Sequence, residues 1–186
     1  AAGRSCQLVY EVHDLWPLSP IELSGMSPWH PFALICQSAE DAAYRHADRV
    51  VSMLPKVQQH MAGRGLDLRR LSIVPNGISP DDWKAAPQAL REDVAEALNR
   101  ARAEGRCIVG YAGSMGMPNA LDHLLDAAAL LRDERLAIVM VGDGHERARL
   151  AQRVAAESLS RVQMLPPIPK AQVPAFLAAI DIAFIG

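Results

Sequence analysis

Apolar and polar positions along the chain follow two rhythms, and the rhythm keeps switching. Cys6–Val12 is a strand candidate, and Leu71–Val74 alternates like a strand. Arg49–Met53, Ile108–Ala112, Leu136–Val141, Val162–Leu165 and Ile182–Ile185 are short apolar runs of strand length. Between them the spacing turns helical. Phe32–His46 carries a stripe at Ala33, Ile35, Cys36, Ala39, Ala43 and Ala47; a second helix runs from Leu90 to Ala103 with Leu90, Val94, Ala97, Leu98 and Ala101 on one side. Helices are also predicted over Asn119–Arg132, Glu146–Glu157 and Gln172–Ala179. A shorter one starts at Pro55 and runs to about Met61, with Gly63 or Gly65 stopping it. Leu15–Pro31 contains Pro17, Pro20, Pro28 and Pro31 and reads as loop, with a helical piece near Ile21–Leu23.

In the second half, strand and helix alternate strictly. That order predicts right-handed βαβ units and a parallel sheet. The first part repeats the logic more loosely. Ser79–Pro87 is polar, with two prolines and Asp81-Asp82, and is the expected boundary. The fold class expected is α/β, with two Rossmann-like domains built on parallel sheets.

Composition narrows this picture. The chain has 186 residues, half of them hydrophobic, which is enough for sizeable cores. Its net charge of −2 gives no bulk electrostatic argument for nucleic acid. Cys6, Cys36 and Cys107 are far apart and outside any Cys-x-x-Cys pattern, which argues against a disulfide frame or zinc site and for a reducing cytoplasm. No apolar run is long enough for a membrane-spanning helix, and the N-terminus lacks the layout of a signal peptide. Both ends look abrupt, so an internal fragment of a longer protein is expected.

In open parallel sheets, ligands sit beyond the carboxyl ends of the strands. Every candidate for chemistry lies at such an end. Cys107–Ala112 runs into Gly113-Ser114-Met115-Gly116, with Gly110, Gly113 and Gly116 spaced Gly-x-x-Gly-x-x-Gly and a helical pattern close behind. A strand, a tight loop and a helix N-terminus offer free N–H groups and a positive dipole end to a phosphate; the plainer account is a βα turn whose glycines serve backbone geometry. No Gly-Lys-Ser/Thr follows, so it is not a P-loop. The spacing also departs from the Gly-x-Gly-x-x-Gly of dinucleotide enzymes, although Asp143 stands where their ribose-binding acid would.

Gly142-Asp143-Gly144 brings backbone close to a ligand, or else turns the chain into the next helix. Pro166-Pro167-Ile168-Pro169 is a stiff strand exit that could offer backbone groups to a nucleobase. His13-Asp14 ends the first strand; His13 suits a proton shuttle or a donor to a sugar hydroxyl, with structural hydrogen bonding as the other account, and Asp14 suits a cap. Pro75-Asn76-Gly77 is a turn whose Asn and Gly tolerate positive φ, as a hinge would need. Met26–Phe32 is expected to bury Trp29 and Phe32 in the core, the alternative being a membrane interface. His46 and His60 fall on helix patterns and read as surface residues.

The order of these motifs resembles that of retaining glycosyltransferases of family 4, with the two-domain GT-B fold. The resemblance is carried by Val12-His13-Asp14-Leu15-Trp16-Pro17, Ala47-Asp48-Arg49-Val50-Val51-Ser52, Val74-Pro75-Asn76-Gly77-Ile78 (with Trp83 following), Gly110-Tyr111-Ala112-Gly113-Ser114, Val141-Gly142-Asp143-Gly144 and Ala179-Ile180-Asp181-Ile182-Ala183. It implies that residues 1–77 are the later half of an N-terminal, acceptor-side domain. Residues 78–186 would be the first half of a C-terminal domain that binds a nucleotide-sugar.

By the same resemblance, His13 is the catalytic candidate, matching the family's His-Asp strand end that faces the interdomain cleft. Gly113, Ser114, Gly116 and Asn119 would meet its diphosphate, Gly142 and Asp143 would line it, and backbone near Pro167 and Ile168 would meet its base. Many members carry Arg and Lys where this chain has Ser114 and Asn119, and their paired glutamates would lie beyond Gly186.

The function implied is transfer of a sugar from a nucleoside diphosphate donor to a hydroxyl with retention, in bacterial cell-surface polysaccharide or glycolipid synthesis. A nucleotide-sugar epimerase of the same fold and a non-catalytic nucleotide-sugar-binding protein are the alternatives. No cofactor or metal is implied beyond the nucleotide-sugar co-substrate. The expected acceptor is lipid-linked or a saccharide, and the expected place is the cytoplasm, with peripheral contact at the inner membrane's cytoplasmic face.

Overall fold

The computed structural model describes residues 6–81, 88–131 and 135–186. Trp83, most of the proposed boundary segment and the Arg132 helix end lie outside the described residues. The chain divides into two compact units, Ala1–Ile78 and Ser79–Gly186.

The first unit is a three-stranded parallel sheet in the order β1 (Val9–Val12), β2 (Arg49–Ser52), β3 (Leu71–Ile73). Val9 pairs with Arg49 and Val50 with Leu71. Helices α1 (Leu18–Ser24) and α2 (Pro31–His46) connect β1 to β2, and α3 (Gln58–Gly63) lies between β2 and β3. The core gathers Val12, Tyr44, Ala47, Val50, Val57, Met61 and Leu66.

The buried face of α2 differs from the expected stripe. Ala33, Glu40 and Tyr44 are buried, whereas Ala39 is exposed and Ile35 is 69% exposed. A carboxylate belongs in this core because it is bonded: Tyr44 Oη donates to Glu40 Oε1 at 2.8 Å and Gln37 Nε2 donates to Oε2 at 2.8 Å. Burial, and then the bond to Glu40, push the Tyr44 phenol far above its usual range.

Other local expectations also shift. His60 is half-buried and sits 3.6 Å from Glu40 Oε1, so it is not a surface residue. Trp29 is 81% exposed and Phe32 46%, against the burial expected for them. Pro55 lies before α3 and not in its first turn. Asn76 and Gly77 have no positive φ, so this turn does not use the freedom that a hinge would.

The second unit is a four-stranded parallel sheet in the order β6 (Val162–Leu165), β5 (Leu136–Val141), β4 (Cys107–Ala112), β7 (Ile182–Ala183). Gly110 pairs with Val139 and also with Ala183; Met140 pairs with Met164. One face packs on α4 (Glu92–Ala103) and α7 (Val173–Ala178), through Val94, Leu98, Ala101, Ile108, Val139 and Phe176. The other packs on α5 (Leu121–Leu131) and α6 (Arg147–Ala156), through Leu121, Leu124, Leu125, Met140 and Leu150. With helices on both faces, the central strand β5 has no solvent face. That explains its unbroken Leu-Ala-Ile-Val-Met-Val run.

Each unit locks one strand pair with an aspartate placed before a strand. Asp48 Oδ2 accepts the Leu8 N–H at 2.7 Å, and the Asp48 N–H donates back to Leu8 O. Asp181 Oδ2 accepts the Ile108 N–H at 2.7 Å, and its own N–H donates to Ile108 O. A charged acceptor at the first pairing position fixes register where an apolar strand by itself could slip.

Candidate functional site

The chain winds β4, β5 and β6 outward in one direction and then returns to place β7 on the other side of β4. The order reverses between β4 and β7, which opens the end of β4 to a ligand. The Gly113–Gly116 loop leaves β4 at this point.

Gly110 does not belong to the loop's ligand-facing part. A Cβ there would meet Ile180 Cδ1 and Cγ2 at 2.6 Å, so its glycine serves close packing within the sheet layer. Gly113 is different. It is exposed, and a Cβ would come 2.9 Å from Tyr111 Oη. That phenol is buried under the loop and donates to Ser114 O at 2.5 Å; burial raises its pKa. Tyr111 also packs edge-on against Phe184 of the β7 exit, with ring centroids 6.3 Å apart.

The β5 exit is laid directly on the loop. A Cβ at Gly142 would stand 1.9 Å from Gly113 O, and one at Gly144 2.4 Å from Met115 O. The Gly113 N–H donates to Val141 O and the Met115 N–H to Asp143 O. The close approach made by these two glycines is therefore to the neighbouring loop. Asp143 Oδ1 accepts the Gly144 N–H at 2.8 Å, and the rest of its carboxylate faces water. Gly186 closes the group: a Cβ there would lie 1.7 Å from Asn119 O. The exits of β4, β5 and β7 thus stack backbone on backbone.

Asn119 does not start the following helix, as the pattern predicted. It ends a 3-10 turn, Met117–Asn119, and its Oδ1 accepts the Gly116 N–H at 3.3 Å. Ala120 then takes a left-handed φ of 48°, and α5 begins at Leu121. Of the loop's groups, the Ser114 N–H and hydroxyl carry no hydrogen bond among the described residues, and Ser114 is exposed. Sequence reading did not single out His145. Its ring lies 3.4 Å from the Cβ position of Gly116, at the rim of the same loop, and it is exposed. A His immediately after Gly-x-Gly at a strand exit was the available signal.

Beyond β6, Pro166 and Pro167 are exposed and Ile168 packs against the core. In the first unit, His13 follows β1 with its side chain 66% exposed, 3.2 Å from Glu11 Oε1. Its root is firm: Ser52 Oγ donates to Val12 O at 3.2 Å and accepts the Leu54 N–H. Asp14 caps nothing among the described residues; α1 begins after Pro17 without a side-chain cap.

Two parallel α/β units, the second with its glycine-bearing strand exits at a switch point, define a Rossmann-like class of fold. The family matches make it specific: residues 1–77 match the "Glycosyl transferase 4-like domain" and residues 106–185 the "Glycosyl transferases group 1" domain, so each unit is similar to one domain of the glycosyltransferases. Its fold is GT-B.

The chain is 22% identical over 174 residues to the "Probable glycosyltransferase WbjE" of Pseudomonas aeruginosa, covering 94% of this chain and 42% of that protein. Among solved structures, Anabaena Alr3699/HepE in complex with UDP and glucose aligns with a TM-score of 0.67 at 21% identity, covering 95% of this chain and 45% of that one. WaaG, a glycosyltransferase involved in lipopolysaccharide biosynthesis, aligns with a TM-score of 0.65 at 18% identity, covering 94% and 49%. The chain therefore spans less than half the length of these relatives.

Proposed function

We propose that these two units belong to a retaining glycosyltransferase that moves a sugar from a nucleoside diphosphate donor to a hydroxyl, in the synthesis of a bacterial cell-surface polysaccharide or glycolipid. The observation that carries the reading is the stacked group of exits from β4, β5 and β7 at the switch point, with the Ser114 N–H and hydroxyl left unbonded on its surface. HepE, whose fold this chain shares, was crystallised with UDP and glucose, which supports a nucleotide-sugar as the ligand class.

The chemistry asks for stabilisation of a departing diphosphate, whose negative charge grows in the transition state. In this reading the Ser114 N–H and hydroxyl donate to it and the N-terminus of α5 adds dipole charge. His145 adds a further donor at the rim. Asn119 acts indirectly: with Oδ1 committed to the Gly116 N–H, it shapes the loop. Gly142 and Asp143 hold the loop from below through the contacts described, and the backbone of Ile168 receives the base, with Pro167 shaping the loop beside it. His13, exposed at the end of β1, positions the sugar or its acceptor hydroxyl. The donor is a co-substrate, and no metal or further cofactor enters the scheme.

The direct test is calorimetric titration of UDP into the chain and into Gly113→Val. A valine side chain would start 2.9 Å from Tyr111 Oη and stand over the proposed phosphate path, so the variant is expected to lose UDP binding. Unchanged UDP affinity in a folded Gly113→Val would remove the loop from the donor site. A turnover assay with a nucleotide-sugar, read by the anomeric configuration of the product, tests retention. Epimerised donor without transfer would support the epimerase instead. Binding without turnover in the complete protein would support a non-catalytic receptor, the reading favoured by neutral side chains at Ser114 and Asn119.

A further inference from the structure

Arg91 stands just before α4, far in sequence from any strand exit, yet it is tied to both ends of the Pro166–Pro169 loop. Its Nη1 donates to Pro167 O at 2.7 Å and its Nη2 to Pro166 O at 3.0 Å. Its backbone N–H donates to Gln172 Oε1 at 3.2 Å, on the 3-10 turn that follows the loop. Asp93 holds the guanidinium in place, accepting from Nε at 2.5 Å and from Nη2 at 2.9 Å.

The loop's own sequence makes this clamp consequential. Pro166, Pro167 and Pro169 have no N–H, so Ile168 supplies the one backbone donor between Leu165 and Lys170. Arg91 takes the carbonyls of Pro166 and Pro167, and Pro169 O accepts the Gln172 N–H at 2.9 Å. What remains unbonded among the described residues is one donor and one acceptor, the N–H and C=O of Ile168, whose side chain is anchored in the core. An adjacent donor and acceptor on one residue match the amide-like edge of a nucleobase.

We infer that Arg91 is a positioning residue of the donor site: its clamp on Pro166 and Pro167 sets the Ile168 backbone at the angle from which the nucleotide's base is read. The inference rests on the nucleotide-sugar reading above and adds a residue that touches no ligand. Its location is independent of the phosphate loop, because Arg91 contacts the β6 exit while the diphosphate groups lie on the β4 and β5 exits. Losing the clamp therefore affects the base half of the ligand and spares the phosphate half.

The test is calorimetric titration of the 186-residue chain with UDP and, separately, with inorganic pyrophosphate, for the native sequence, Arg91→Met and Arg91→Lys. Arg91→Met keeps the aliphatic stem and removes both carbonyl bonds. It is expected to weaken UDP by roughly tenfold, the size of effect that one displaced polar contact produces, while pyrophosphate affinity stays unchanged. Arg91→Lys, able to reach one carbonyl and not both, is expected to fall between. UDP affinity unchanged in Arg91→Met overturns the inference. So does an equal loss of UDP and pyrophosphate in both variants, since that would make Arg91 a general support of the unit. Native chain that binds UDP no more tightly than pyrophosphate removes the base contact itself and, with it, the reading on which the inference rests.

Discussion

Tyr111 shows how one buried side chain shapes an exposed loop. Its hydroxyl holds Ser114 O at 2.5 Å, which turns that peptide so that its carbonyl faces inward. Tyr111→Phe deletes this bond and leaves the Ser114 carbonyl without its protein donor, at a cost of about 1 kcal/mol. The expected result in a denaturant melt is a stability loss of that size, together with weaker UDP binding. Loss of stability with unchanged UDP affinity would confine Tyr111 to the core. His13 belongs to the same scale. With its ring exposed beside Glu11, His13→Ala is expected to leave folding untouched and to lower turnover far more than donor affinity. Unchanged kinetics would return His13 to a structural role.

Between elements, α5 and α6 are stitched together by charge. Arg149 meets Asp122 at 2.5 Å and Glu146 at 2.6 Å; Arg153 meets Asp122 at 2.9 Å, Glu157 at 2.7 Å, and Asp126. The bond from Arg149, and then that from Arg153, hold the Asp122 carboxyl down at about 2 against an ordinary 3.8. A carboxyl depressed in the folded state favours folding above its unfolded value and loses that contribution as pH falls through the folded one. The network's stabilisation is therefore expected to disappear between about pH 4 and pH 2.

Asp122 is 42% exposed, so solvent screening limits the contribution to roughly 1 kcal/mol. Asp67, held by Arg69, titrates in the same window, so the informative measurement is the difference in melting temperature between the native chain and Asp122→Asn across that range. A difference that does not shrink toward pH 2 would sink this account.

At the scale of the whole molecule, the second unit carries both cores of its sheet and all three stacked exits within residues 79–186. That piece is expected to fold by itself and to bind UDP with the affinity of the entire chain, measured by circular dichroism and calorimetry. A folded piece that has lost UDP binding would mean that the first unit contributes to the donor. Much of the architecture was legible beforehand, because a strand buried on both faces must be apolar throughout and a helix packed on one face must repeat its apolar positions. These constraints are local, so β4, β5, β6 and the buried stripe of α4 could be read directly from the chain.

Glu40 could not be read in that way. Its burial depends on Tyr44 and Gln37 meeting it with their polar groups, and a polarity pattern treats a carboxylate as solvent-facing. The Gly142 and Gly144 approach to the β4 exit, the position of Gly186 against Asn119, and the reach of Arg91 across seventy-six residues to Pro167 depend on which strands become neighbours. The sequence by itself determined the element types, the parallel α/β class and the strand ends where glycines gather, since each follows from side-chain periodicity and backbone freedom over a few residues. Only the tertiary structure decided what those glycines approach and which loop groups remain unbonded, because steric contact and hydrogen-bond satisfaction are properties of chain segments brought together by folding.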